Sequence, residues 1–170
     1  MEVYDNFLDE SDFRPLYHTV SGTNLPWFFN TQVLGNIPDH ALLKDYQLTH
    51  MLYNNGFIQS QYYQEFHPLV ERLNVFSLIR MKLNCNVYAQ DSYEHGMHID
   101  ISNPPAGAKV KTAVFYFNTN DGYTRFESNN QKVESVENRC VIFDSAEKHT
   151  GSNPTNSKVR YVANINFIAY

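Results

Sequence analysis

Residues 158–167 alternate without a break. Val159, Tyr161, Ala163, Ile165 and Phe167 fall on one side of an extended chain, with Arg160, Val162, Asn164 and Asn166 on the other. The first set reads as a core face. The second puts a cation and two amides in a row, which in a closed sheet structure means either open water or a polar pocket. Further strand-like runs occupy 76–87, 109–118, 132–136 and 139–143, separated by clusters of Gly, Asn, Asp and Pro. Before residue 75 the texture is mixed. Asp9 or Ser11 caps a helix whose apolar positions Phe13, Leu16, Tyr17 and Val20 recur at helical spacing, with Gly22 just past its end. A short aromatic strand follows at 26–30, and Asn54-Asn55-Gly56 reads as a turn. Phe66, Leu69, Val70 and Leu73 predict an amphipathic helix over 61–73 that covers one face of a sheet. Many short strands after a few helices suggest a mainly β sandwich or barrel with helices packed outside.

Length adds one constraint: 170 residues predict a single domain, 1–170, with 1–75 as support and 76–170 as the β core. Only 18% of residues are charged, while 12 Phe and 12 Tyr supply large apolar area, so disordered and coiled-coil readings are poor. The formal charge of −5 and the lack of a Lys/Arg cluster disfavour nucleic acid as a partner. Cys85 and Cys140 lack any zinc or disulfide spacing and read as buried free thiols. The acidic start and the absence of an apolar run near 18 residues predict a cytoplasmic protein with no membrane partner. Oligomeric state is not legible.

Candidate chemistry begins at His98-Ile99-Asp100. Seven histidines and 18 carboxylates in 170 residues give about 0.7 such pairs by chance, so context must decide. On a strand, positions i and i+2 share a face, so His98 and Asp100 can bind one ion from the same side. His149 follows the run 139–143 and is the best third ligand; Arg160, eleven residues on, lies on the polar face already noted. Two histidines and one carboxylate with vacant positions beside them is the arrangement associated with non-haem Fe(II) oxygenases. A guanidinium there suits bidentate clamping of a carboxylate. His95 would join His98 only on a helix, which the strand signals argue against, so it is placed at a pocket rim or the surface. His18, His40, His50 and His67 have no carboxylate two positions on and read as structural.

The order His98-x-Asp100, His149, Arg160 resembles the Fe(II)/2-oxoglutarate-dependent dioxygenases, and the surrounding text resembles their prolyl 4-hydroxylase subgroup. Tyr4-Asp5-Asn6-Phe7-Leu8-Asp9 is similar to the opening that leads into that subgroup's first helix. Tyr88 matches a tyrosine ten residues before the first iron histidine. Phe115-Tyr116-Phe117-Asn118 is similar to a tyrosine-bearing strand, and Asp121-Gly122-Tyr123-Thr124-Arg125-Phe126 to a Gly-Gly-x-Thr-x-Phe turn. Arg139-Cys140-Val141-Ile142-Phe143 is similar to the strand leading to the distal histidine. The resemblance covers nearly the whole chain.

The resemblance implies a double-stranded β-helix (jelly-roll, cupin-like) with N-terminal helices packed on its major sheet. Fe(II) would be held by the catalytic residues His98, Asp100 and His149. The cosubstrates would be 2-oxoglutarate and O2, with ascorbate as an optional reductant. Arg160 and Tyr116 would meet the far carboxylate of 2-oxoglutarate, and Tyr88 would line the same pocket; Asn164, on the Arg160 face, is a further cofactor-binding candidate. The implied reaction hydroxylates an unactivated C–H bond of a peptidyl proline or a small amino-acid-like substrate, with succinate and CO2 as coproducts. Three departures stand out: Val162 where the family often has Ser, Asp121 where a first glycine is usual, and Asn166 where many members carry a bulky residue. A β-helix binding module that keeps the pocket without turnover is the competing reading.

Overall fold

The computed structural model describes residues 1–31 and 46–170. His40 therefore lies outside the described residues. Strands are β1 (Glu2–Tyr4), β2 (Phe28–Asn30), β3 (Gln47–Asn54), β4 (Phe57–Ile58), β5 (Val75–Val87), β6 (Val110–Tyr116), β7 (Tyr123–Phe126), β8 (Lys132–Glu134), β9 (Arg139–Asp144), β10 (His149–Gly151) and β11 (Val159–Ala169). Helices are α1 (Glu10–Ser21) and α2 (His67–Arg72), the latter entered through a 3-10 turn at Gln61–Phe66. The major sheet runs β1-β9-β6-β11-β5-β3-β2, with β4 paired to β3; a minor sheet runs β10-β7-β8. Every pairing is antiparallel. This is the predicted β-helix with helices on the major sheet. No described helix is long and apolar enough to cross a membrane.

The alternation on β11 is realised as read. Ala163, Ile165 and Phe167 join Ala113, Phe115 and Leu83 in a core closed from outside by Phe13, Leu16 and Val20 of α1 and by Phe66, Leu69 and Leu73. Complete burial of each large apolar side chain contributes about 2 kcal/mol, which holds the short helices on the sheet. Val162 faces the other way, with Val114, Tyr116, Val141, Phe126 and Phe143, into the space between the two sheets. Both cysteines are free and buried. Burial pushes the Cys85 thiol up to about 12, so it is inert as a nucleophile.

One expectation changes, and one strand lies outside the runs read from the sequence. The helix read over 61–73 is broken: Ser60 caps a 3-10 turn by accepting from Tyr62 N, and α2 starts afresh with Pro at its N-terminus. Pro68 lacks the N–H that a continuous helix would use. Strand β3 carries no clean alternation because its register against β5 shifts between Met51 and Tyr53, and such an irregularity hides a period of two. The Asn55-Gly56 turn stands, both residues at positive φ, and closes β3 onto β4.

Asn138 pins the N-terminal segment to the sheet. At φ 58°, its backbone donates to Tyr116 O and accepts from Phe7 N, while its amide accepts from Leu8 N (3.0 Å) and donates to Leu8 O (2.8 Å). Asn138→Ala removes two buried hydrogen bonds and leaves a Cβ residue in the left-handed region. The expected loss is about 2–3 kcal/mol in urea unfolding. Asn138→Gly, which tolerates the backbone, should lose less.

Candidate functional site

His98 and His149 face each other across an isolated antiparallel bridge, each backbone N–H donating to the other's carbonyl at 3.0 Å. The pairing explains why ligands from two distant stretches of chain converge: His98 and His149 are locked in one rung, and Asp100 follows His98 by two residues. The ring centroids are 4.6 Å apart. Each ring is oriented in the same way. His98 Nδ1 lies 3.2 Å from Gly96 O, and His149 Nδ1 lies 3.0 Å from Glu147 O. A proton on each Nδ1 satisfies those carbonyls and leaves both Nε2 lone pairs free. The two Nε2 atoms point at Asp100, at 3.8 and 3.6 Å. One ligand atom from each residue lies within 4.8 Å of the others, a grouping that can hold a metal ion.

The Asp100 carboxylate is 5% exposed and fixed from behind. Arg80 Nη2 donates to Oδ1 at 2.9 Å; Asn164 and Asn166 amides donate to Oδ2 at 3.1 and 3.2 Å. Asn166 also donates to Thr112 Oγ1 and accepts from Arg80 Nε. Burial alone would raise the carboxyl pKa, but Arg80, His149 and Asn164 outweigh it and hold it at about 2. Burial and the neighbouring His149 push the His98 imidazole down, against the pull of Asp100. An ionised carboxylate beside a neutral imidazole is the protonation state a metal requires.

The same cavity, about 220 Å³, reaches Arg160. This guanidinium is 3% exposed and lies 5.3 Å above the Tyr116 ring centroid. Its hydrogen bonds are long, from Nη1 to Ser152 O (3.4 Å) and from Nη2 to Thr124 Oγ1 (3.3 Å), and buried Nε has no partner. Burial lowers its pKa and Tyr116 opposes that shift. A buried cation with weak neutral partners is costly unless an anion arrives, so this end of the cavity fits a ligand carboxylate. Gly122 makes the room: a Cβ there would stand 2.6 Å from Arg160 Cδ and 2.8 Å from Asn120 Oδ1.

Of the residues singled out from sequence, His98, Asp100, His149, Arg160 and Asn164 line this one cavity. Asn164 lies on Asp100 rather than beside Arg160. Tyr116 sits behind Arg160, its hydroxyl donating to Thr124 Oγ1 at 2.8 Å. Tyr88 is not brought in. It lies past the end of β5, 53% exposed, beside Ser157 and Lys158, because its backbone continues the edge pairing to Lys158 O and its side chain projects to solvent. His95 is also placed differently from the expectation: it is buried in the cavity wall, 2.8 Å from the Asn86 amide. Among the other histidines, His50 lies between Pro26 O and Ser60 Oγ, both at 2.7 Å, as a structural residue should. The departures have local reasons. Thr124 supplies beside Arg160 the hydroxyl that Val162 lacks, Asp121 accepts from the Thr155 and Asn156 backbone at the surface, and Asn166 braces Asp100.

Sequence reasoning missed Arg80, Lys82, Asn84 and Asn86. They stand at every second position of β5 and line the cavity together. That polar alternation was the available signal. Burial and Arg80 push the Lys82 ammonium down to about 8, partly offset by Asp100.

A jelly-roll whose inter-sheet cavity carries two imidazoles and a carboxylate defines a class, the non-haem Fe(II) oxygenases. The family model of the 2OG-Fe(II) oxygenase superfamily matches residues 83–168, and the chain belongs to that superfamily. It is a 2-oxoglutarate-dependent oxygenase whose metal is Fe(II) and whose cosubstrates are 2-oxoglutarate and O2. Similar solved structures include a prolyl hydroxylase from Trichoplax adhaerens in complex with a hypoxia inducible factor oxygen degradation domain peptide fragment. It is 14% identical with TM-score 0.62, and the match covers 98% of this chain and 82% of that one. The viral collagen prolyl hydroxylase of Paramecium Bursaria Chlorella virus-1, in its 2OG complex, is 13% identical with TM-score 0.57, covering 99% and 95%. The non-heme alpha ketoglutarate dependent epimerase SnoN from nogalamycin biosynthesis is 10% identical with TM-score 0.63, covering 98% and 75%. A search of curated proteins finds no match.

Titration of the apo protein with Co(II) should give visible d–d absorption at one equivalent. Asp100→Ala and His149→Ala should weaken binding by about a hundredfold or more, while His50→Ala leaves it intact.

Proposed function

We propose that this chain is a hydroxylase in which His98, Asp100 and His149 hold Fe(II) and Arg160 receives the far carboxylate of 2-oxoglutarate. Its substrate would be a peptidyl proline or a small amino-acid-like molecule. One observation carries the reading: a single cavity has a preoriented His/Asp/His cluster at one level and a buried, poorly partnered guanidinium at another. A keto diacid spans two such points.

When bound, the metal and cosubstrate supply the oxidising chemistry, consuming O2 and 2-oxoglutarate and releasing succinate and CO2 as a C–H bond is hydroxylated. The chain's own residues do the positioning. Gly96 and Glu147 carbonyls fix both imidazoles with Nε2 inward. Arg80, Asn164 and Asn166 hold the Asp100 carboxylate ionised and aimed. Arg160, backed by Tyr116 and Thr124, would grip the cosubstrate so that its keto acid end meets the metal ligands. Val114 and Val162, both buried, supply apolar wall between the polar groups, and Ile99 lines the cavity from a more exposed position.

The test is 2-oxoglutarate decarboxylation with Fe(II) and O2 across proline peptides, free amino acids and single-stranded DNA. Succinate should form, stimulated by a proline peptide or an amino acid. His98→Ala or Asp100→Ala should lower turnover at least about a hundredfold. Gly122→Ala should raise the KM for 2-oxoglutarate about tenfold, close to 1.4 kcal/mol, by displacing Arg160. No succinate under any condition would leave a binding module instead.

A further inference from the structure

The inner face of β5 presents Arg80, Lys82, Asn84 and Asn86 opposite Asn166, Asn164, Val162 and Arg160 of β11, pair for pair. Two of the three cations in this double row already have a place: Arg80 lies on Asp100, and Arg160 closes the far end. Lys82 does not. It pairs in register with Asn164, whose amide touches Asp100, so Lys82 stands at the level of the metal cluster. The Arg160–Asn86 pair is four residues along the strand, its backbone displaced by about 13 Å. Lys82 lines the cavity and forms no ion pair with any described carboxylate, and Asp100 is the cavity's one carboxylate among the described residues.

The charges then fail to balance without a further anion. With a divalent metal in the cluster and the cosubstrate dianion in place, the cavity's cations still exceed its anions by two charges. Of the groups that share this excess, the metal would sit on Asp100 and the cosubstrate, Arg80 lies on Asp100 and Arg160 would meet the far carboxylate, which leaves Lys82. A half-buried ammonium facing a polar cavity is satisfied by an anionic ligand and is poorly matched to a neutral amide. Beside it, Asn84 Oδ1 is buried without a partner and belongs to an amide that can turn toward a ligand. A cavity of about 220 Å³ shared with the cosubstrate leaves space for a small molecule.

We propose that Lys82 recognises the carboxylate of the substrate, which is a free amino acid rather than a prolyl residue inside a peptide. This inference rests on the dioxygenase reading and goes beyond it by choosing between its two substrate classes. Lys82 pairs with the substrate carboxylate, and the Asn84 amide hydrogen-bonds the adjacent amino group. The site thereby discriminates an amino acid from its amide and from a peptide.

The test uses protein loaded with Mn(II) and 2-oxoglutarate, so that binding is read without turnover. Free L-amino acids and their carboxamides are titrated one by one by calorimetry, with a proline peptide alongside. The wild type should bind at least one amino acid tenfold or more tighter than its carboxamide. Lys82→Met should abolish that preference and leave the affinities for Mn(II) and 2-oxoglutarate within about twofold; Lys82→Arg should keep it. Equal binding of acid and amide overturns the proposal. So does a preference that survives in Lys82→Met, or binding of the proline peptide alone. A Lys82→Met defect confined to 2-oxoglutarate assigns Lys82 to the cosubstrate and overturns it as well. Wild-type protein that binds neither Mn(II) nor 2-oxoglutarate sinks the dioxygenase reading itself and this proposal with it.

Discussion

The structure depends on the register of β11 between β5 and β6. This strand has eleven residue pairs with β5 and seven with β6, and it is covered on both faces. One face is apolar core beneath the helices; the other holds Arg160, Asn164 and Asn166 between the sheets. A slip of one residue would bury Arg160 on the helix-covered face with Phe115 and Leu83, and would turn Ala163, Ile165 and Phe167 toward the metal ligands. The apolar face prevents that slip. The hydrophobic energy that folds the chain therefore also fixes the level at which each polar group meets the cavity.

That arrangement places charged groups where water is scarce, and each is stabilised by a different means. Asp100 is the best supported, with a guanidinium and two amides converging on its two oxygens. The two histidines need no charged support because their neutral form suits both burial and ligation, and backbone carbonyls set their tautomer. Arg160 is the opposite case. Its long hydrogen bonds and unpartnered Nε leave part of its desolvation uncompensated, which preorganises it to bind an anion. The polar interior is thus graded from a fully satisfied carboxylate to an under-satisfied cation.

Much of this was legible in the sequence, for reasons that differ by element. Strand β11 followed from period-two alternation, and α1 from apolar spacing with Asp9 and Gly22 at its ends. The convergence of His98, Asp100 and His149 rested on motif order, since no local pattern reveals a reciprocal bridge between His98 and the first residue of β10. Strand β3 escaped because its bulge breaks the period. Tyr88 was misplaced because spacing along the chain does not show where a strand ends; β5 stops at Val87 and the next side chain turns to solvent. The polar row of β5 was visible in the sequence yet unread. Its meaning appears only when it is paired with β11, which aligns Arg80 with Asn166 and Lys82 with Asn164.

The central claim is that one cavity binds a metal and a keto diacid at once, with Arg160 and the His98, Asp100 and His149 cluster at its two levels. The most direct measurement is the visible absorption of the protein with Fe(II) and 2-oxoglutarate under anaerobic conditions. The account predicts a weak metal-to-ligand charge-transfer band that requires both additions, is absent in Asp100→Ala, and needs much higher 2-oxoglutarate in Arg160→Leu. A wild-type protein that binds Fe(II) yet gives no such band at saturating 2-oxoglutarate would contradict it.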